Sequence, residues 1–287
     1  MTFLESYLVL AEIYVLAALS TNLLVGIAGI FSVSQAAVFG VGAYLVAGLT
    51  MQAGLGFIPA LVLASLGCIV LDILVSLPSL RVAGDYFVVT SFGIQLLATA
   101  VFTNWTAGTG GANGLPGIPP ASLAGVPIES TLGLLALTSV LLAIGIAVFW
   151  LFMRAPFGRL IHAVREDELA VAALGKPVLR AKVAAAALSG AFIGVAGGLY
   201  AVFLSFIDPS SFDLDASVLL LTMVVVGGAR TLKGAILGPF LLVGLPQLLD
   251  LINIPTTIAA PARQLLYGGL LVLFMLFRPQ GILGERL

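Results

Sequence analysis

Nine apolar stretches follow one another along this chain, and most are close to the length a helix needs to cross a bilayer. They are residues 7–28, 34–51, 58–80, 86–102, 131–153, 183–204, 214–226, 232–251 and 262–277. About 20 residues at a helical rise of 1.5 Å span roughly 30 Å of hydrocarbon. The stretches 34–51 and 214–226 are the weakest. The second runs into Gly227-Gly228 and reads as a short, broken or partly inserted helix. Eight or ten spans are the neighbouring counts. Composition agrees: of 287 residues, 61% are hydrophobic and 9% charged, against about 25% charged in soluble domains. So few charges do not cover a soluble protein of this size, and lipid needs no such cover. The expectation is an all-α integral membrane protein, a polytopic helical bundle forming one domain over residues 1–287.

Charge placement tests the count. With nine spans, the loops carrying Arg81, residues 154–182, Arg230 to Lys233 and the tail from Arg278 fall on one side. That side holds eleven of the twelve basic residues, with Arg263 alone opposite. The positive-inside rule makes it cytoplasmic. The N-terminus then lies outside with Glu5, Glu129, Asp208, Asp213 and Asp215, and the C-terminus lies inside. Residues 1–6 carry no basic residue, so the first stretch reads as a retained helix rather than a secretory leader. A net charge of −1 argues against a nucleic-acid partner. The single cysteine, Cys68, rules out a disulfide framework and reads as a small core residue. Gly190, Gly194 and Gly198, with Gly197 beside them, have the spacing that lets membrane helices pack closely.

Residues 154–182 are unlike the rest. They hold six basic residues, the acids Glu166, Asp167 and Glu168, and His162, the only histidine. Leu160, Ile161, Val164, Leu169, Ala172 and Ala173 fall near helical spacing, and Gly175 before Lys176-Pro177 reads as a stop. The pattern predicts a short amphipathic helix across the cytoplasmic mouth. Residue chemistry alone leaves it either a connector whose charges anchor span ends or a docking element for a soluble partner.

The run GRLIHAVREDELAVAALG, from Gly158 to Gly175, resembles the coupling loop of the branched-chain amino acid permeases of ABC importers, the LivM-like branch among them. That family shows G-R-x-x-x-A-I-R-E-D-E-x-A-A-x-A-L-G. Gly158, Arg159, Ala163, Arg165, Glu166, Asp167, Glu168, Ala170, Ala173, Leu174 and Gly175 match it, with Val164 for Ile and Val171 for Ala. Residues 106–119 are similar to the family's T-G-G-x-x-G-L-x-G-I-P loop, here with Gly110, Gly111, Asn113, Gly114 and Leu115. Residues 188–201 and 225–238 resemble later family segments, departing at Arg230 and Lys233, where the family commonly carries smaller or uncharged residues. The likeness covers roughly residues 22–281. It implies a permease that works with ABC ATPase subunits, a sister permease (a heterodimer) and an extracytoplasmic substrate-binding protein, in the lipid of a bacterial-type inner membrane. It implies a charged docking face of Arg165, Glu166, Asp167 and Glu168, with Gly175 permitting the exit turn.

The chain has no Walker A loop or other phosphate loop, so ATP would be bound and hydrolysed on other polypeptides. No enzyme motif and no metal-ligand cluster is visible, and no cofactor is expected. The rival is an ion-coupled secondary transporter or a channel, which needs ionisable groups at membrane depth. Asp72 is the main candidate; Glu12 and Asp250 read as interfacial. For a polar path through the spans, Asn22, Ser32, Ser34, Gln35, Ser91, Gln95, Thr99 and Thr222 are available, each equally able to bond another helix or its own backbone. Gly29 and the nearby serines suggest a discontinuous helix, as at transport sites.

Overall fold

The structure is a computed structural model, and it describes residues 3–80, 84–123, 126–128, 130–251, 256–277 and 281–284. Arg81, Glu129, Arg278 and Arg286 lie outside the described residues, as do the side chains of Asp250 and Arg263.

Helix is the dominant element, as it must be where lipid offers the backbone no hydrogen bonds. The helices are α1 (Phe3–Thr21), α2 (Gln35–Met51), α3 (Phe57–Ser76), α4 (Gly84–Asn104), the single turn α5 (Thr106–Thr109), α6 (Thr131–Arg154), α7 (Pro156–Glu166), α8 (Glu168–Ala173), α9 (Val178–Leu204), α10 (Leu214–Gly227), α11 (Leu232–Leu251) and α12 (Thr256–Phe277). Among the described residues, five helical segments are long and apolar enough to cross a membrane: Leu4–Ile27, Phe57–Ser76, Tyr86–Asn104, Thr131–Arg154 and Val178–Leu204. Gln35–Met51, Leu214–Gly227, Leu232–Leu245 and Leu265–Phe274 are apolar but shorter.

The centre of the bundle is α9, packed chiefly against α3, α2 and α1. Its glycines make that possible. A Cβ on Gly190 would lie 2.6 Å from the Cys68 carbonyl oxygen of α3, and one on Gly197 would lie 2.3 Å from the Phe39 carbonyl oxygen of α2. Between lipid-facing helices there is little hydrophobic drive, so close backbone approach and the dispersion it gives hold the bundle together.

The contacts also sort the connections into two ends. At one end, α7 and α8 meet the end of α1, the start of α9 and the α10–α11 turn. At the other, the α4–α6 connection folds over the bundle. Its strand β1 (Leu115–Pro116) pairs antiparallel with β4 (Phe206–Ile207) from the α9–α10 connection, Leu115 opposite Ile207. A second small hairpin pairs β2 (Ser122–Leu123) with β3 (Val126–Pro127). Residues 281–284 return to α10, where Ile282 and Leu283 N–H donate to the Val226 and Gly227 carbonyls that end it.

Candidate functional site

The first helix does not stop cleanly. Past Thr21 it widens into a π-helical turn, Asn22–Ile27, then breaks through residues 28–34 before α2 starts at Gln35. Gly29 sits at φ +70°, the left-handed region that glycine enters without strain. A buried helix start leaves N–H groups that must find acceptors. Here they come from other helices. Ala36 N–H donates to Ser217 Oγ of α10 at 3.1 Å, and Ala37 N–H to Gln95 Oε1 of α4 at 2.9 Å. Ser217 Oγ also donates to that oxygen at 3.2 Å, and Gln95 Nε2 donates to the Phe212 carbonyl at 2.8 Å. Just before the start, Val33 N–H donates to Ser91 Oγ at 3.0 Å.

Gln35 opens a second polar group on the opposite side. Its Nε2 donates to Asp72 Oδ1 of α3 at 3.3 Å, and its Oε1 accepts from Ser20 of α1 at 3.1 Å. Ser20 in turn shares a 2.8 Å hydrogen bond with Ser189 of α9. All four side chains are buried. The structure therefore brings Gln35 and Gln95 to the two sides of one helix start. It ties Ser32 to Ser34 at 2.9 Å. Thr99 and Thr222 instead bond their own helices, to the Gln95 and Val218 carbonyls. Asn22 is directed away from this cluster. Its amide clasps the α10–α11 turn, accepting from Arg230 N–H at 2.8 Å and donating to the Thr231 carbonyl at 3.2 Å. Ser20, Ser189 and Ser217 were missed from sequence; a lone serine within an apolar run was their only signal. Glu12 lies about 13 Å along α1 from Phe3 at the helical rise and faces α6. Thr138 and Ser139 of α6 donate to its carboxylate at 2.5 and 2.7 Å.

At the end rich in basic residues, the expected single helix is two. Asp167 adopts an extended backbone and its Oδ1 accepts from Ala170 N–H at 2.9 Å, which ends α7 and caps a new helix, α8. Gly158 allows the tight entry: a Cβ there would lie 2.5 Å from the Phe152 and Met153 carbonyls. Ile161 and Val164 bury one face of α7, and Gly175 leaves α8 at φ +70°. The charges are used within the chain. Arg165 donates to the Gly26 carbonyl, Glu166 pairs with Arg230, and Glu168 pairs with Lys182 at 2.8 Å. Burial, then the neighbouring Arg230 charge, pushes the Arg165 guanidinium below its ordinary pKa. Arg159 and Ala173 are exposed. Two apolar side chains are strongly exposed here as well: Leu169 is 82% exposed and Leu174 77%.

At the other end, Gly110, Gly111 and Gly114 all take positive φ, and Asn113 stands exposed between them. A Cβ on Gly114 would lie 2.5 Å from the Ile207 carbonyl, so glycine is what lets the two connections pair. Beneath this cap lies a group of rings. Phe212, fully buried, is in the middle, its centroid 5.6 Å from Phe39, 5.7 Å from Tyr44, 5.9 Å from Tyr200 and 6.3 Å from Phe102.

A discontinuous buried helix, a polar two-helix element at one end and a glycine-built cap at the other form the pattern of a transport subunit. Residues 3–275 match the family described as branched-chain amino acid transport system / permease component. The chain belongs to that family. Among similar proteins, the high-affinity branched-chain amino acid transport system permease protein LivM of Escherichia coli K12 is 32% identical, over 96% of this chain and 68% of its own length. The probable LivM of Methanocaldococcus jannaschii is 28% identical, over 81% of this chain and 70% of its own length. The autoinducer 2 import system permease LsrC of Klebsiella pneumoniae is 30% identical over 58% of this chain and 49% of its own length. No solved structure matches. Membership makes the chain a multi-pass membrane transport permease, and the match runs from α1 to α12 without interruption.

Proposed function

We propose that this permease is the membrane-spanning subunit of an ATP-driven importer that carries branched-chain or similar hydrophobic amino acids across the inner membrane. The observation that carries the reading is the α7–α8 element. It packs one face against the apolar helices, is bonded to them through Arg165 and Glu166, and offers Leu169 and Leu174 to the outside. Exposed leucines on a charged, well-anchored element suit insertion into a groove of a soluble partner. The partner in this reading is an ABC ATPase, because the chain has no phosphate loop of its own. The sites of action are Gly158, Arg159, Arg165, Glu166, Asp167, Glu168, Ala173 and Gly175 around that tip, with residues 154–182 as the coupling loop.

The remaining parts follow from the same reading. The nine apolar helices are nine spans, with the N-terminus outside and the C-terminus in the cytoplasm. The cap around Gly110, Gly111, Asn113, Gly114 and Leu115 receives an extracytoplasmic substrate-binding protein. A sister permease, a different chain, completes the pore in lipid. The path runs past the helix start held by Ser32, Ser34, Gln35 and Gln95, with Thr99 and Asn22 toward its two ends and Phe212 as the outer closure. ATP binding on the partners moves α7 and α8 and switches the path between outward-open and inward-open. The second reading, ion-coupled transport, has one observation in its favour: Asp72 is fully buried and bonded to Gln35 at the same helix start.

The test is a mild-detergent pull-down of the tagged chain from its host, beside a variant carrying Leu169→Asp and Leu174→Asp. Co-purification of an ABC ATPase with the parent, and its loss from the still-folded variant, supports the importer. A parent chain that purifies alone in several detergents sinks it and leaves Asp72 as the residue to pursue.

A further inference from the structure

We infer that Arg165, Glu166 and Arg230 form a yoke that ties α7 to the broken end of α1 and to the α10–α11 turn, so that a displacement of α7 reaches the start of α2 through this junction. The inference rests on the importer reading and adds which part of the bundle α7 drives.

Three elements meet here, and each pair is bonded. The Arg165 guanidinium donates to the Gly26 carbonyl, next to the end of the π-helical turn. The neighbouring carbonyls of Leu23 and Leu24 are taken by Ala28 and Ile30 N–H, so α7 supplies the donor that the broken helix lacks. The stem of Arg165 also runs close beside Gly29: a Cβ there would lie 2.9 Å from Arg165 Cγ. Next along α7, the Glu166 carboxylate accepts from the Arg230 guanidinium. Arg230 closes the triangle by donating its backbone N–H to Asn22 on the π-helical turn. The fit is tight, since a Cβ on Gly26 would lie 2.1 Å from Asn22 Oδ1 and 2.9 Å from Arg230 N.

Arg230 adopts φ +75°, a region an ordinary side chain enters at a cost. In this chain the left-handed backbone aims its N–H at Asn22 while its side chain reaches Glu166. The functional link is short. Only residues 27–34 separate Gly26 from α2, and α2 starts inside the buried polar cluster of Gln35 and Gln95. Pulling α7 therefore moves a carbonyl at the break and the turn between α10 and α11, while Ser217 of α10 also holds the helix start.

The experiment uses the whole complex, isolated with its co-purifying ATPase and returned to lipid vesicles. A reporter thiol, Phe31→Cys, is placed on the break, where this side chain is exposed; the natural thiol, Cys68, is buried. Labelling by a maleimide is timed with and without a non-hydrolysable ATP analogue. The variants are Arg230→Glu, the charge exchange Arg230→Glu with Glu166→Arg, and the milder Arg230→Asn, a residue that tolerates positive φ. The expected result is a nucleotide-dependent labelling rate in the parent, reduced at least about fivefold in response by Arg230→Glu. Arg230→Asn should lie between the two, and the charge exchange should restore the response. The ATPase should remain bound in Arg230→Glu and Arg230→Asn. A parent without a nucleotide response, an intact response in Arg230→Glu, or no rescue by the exchange overturns the inference. Loss of the ATPase from Arg230→Glu also overturns it, since Arg230 would then be a docking residue. Absence of any ATPase from the parent overturns the importer reading itself.

Discussion

A single methyl group at Gly197 should loosen the whole bundle, while the same methyl at Gly93 should do the opposite. An added Cβ at position 197 lies 2.3 Å from the Phe39 carbonyl oxygen and 2.9 Å from Ala43 N, both backbone atoms of α2. Ordinary contact begins near 3.4 Å, so α2 must withdraw by 3.4 − 2.3 = 1.1 Å. A gap of that size forfeits a quarter to a half of each dispersion contact along the seam, and overpacking of this kind costs about 1–3 kcal/mol. No side chain can rotate away to relieve it, which places Gly197→Ala at the upper end. At Gly190 the corresponding shift is 3.4 − 2.6 = 0.8 Å, against Cys68 O of α3. At Gly93, on the outward side of α4, nothing lies within 4 Å. There alanine only removes a helix-interior glycine, a gain of about 0.8–1 kcal/mol. Thermal unfolding of the purified protein in mild detergent, followed by size-exclusion recovery, should rank Gly93→Ala at or above the parent, then Gly190→Ala, then Gly197→Ala. If Gly197→Ala melts with Gly93→Ala, backbone contact between α9 and α2 does not hold this bundle.

Phe212→Ala removes the ring on which four others pack and should cost about 3–5 kcal/mol, measured by the same melts, with a leak of labelled leucine from loaded vesicles as its functional sign. Glu12→Leu takes away both acceptors of Thr138 and Ser139 and should cost about 1.5–3 kcal/mol; an unchanged melting temperature would remove the α1–α6 clasp from the account. Asp72→Asn keeps an oxygen for Gln35 and removes the ionisable carboxyl of that buried cluster. Leucine uptake driven by ATP should survive it, whereas loss of uptake together with loss of its pH dependence would favour ion coupling.

Much of this architecture was legible in the residues because length and polarity dominate inside a bilayer. The two stretches singled out as weakest, 34–51 and 214–226, correspond to the short helices α2 and α10, and the break before Gln35 was signalled by Gly29 and its serines. The split at Asp167 was not legible. An acid in an acidic run reads as surface charge until its carboxylate is seen to cap Ala170. The partners of Arg165 and Glu166 were equally hidden. They lie on Gly26 and Arg230, far away in sequence, and residue spacing carries no information about which distant backbone carbonyl a guanidinium will meet. Leu169 counted only toward the helical spacing and Leu174 only toward the family motif, since an exposed leucine looks like a buried one until burial is known. The path residues divided for a related reason: Gln35 and Gln95 reach across helices, while Thr99 and Thr222 are short enough to bond their own turn.

The place of α1 bears on how such a chain is made. It precedes the other helices in sequence, yet several of its polar groups find partners far along the chain: Glu12 in Thr138, Ser20 in Ser189 as well as Gln35, Asn22 in Thr231. Contacts so distant in sequence slow folding, because each waits for the chain between to be in place. This helix must therefore wait during biosynthesis with the Glu12 carboxylate unanswered until α6 is inserted and the Asn22 amide unanswered until the α10–α11 turn follows, while Ser20 has Gln35 of α2 before it gains Ser189. A ribosome stalled before residue 189 would leave Ser20 without its final partner, and arrest before Arg230 would leave Asn22 so. The last third of this protein completes the first helix, and premature truncation should expose the nascent chain to membrane quality control rather than yield a smaller working bundle.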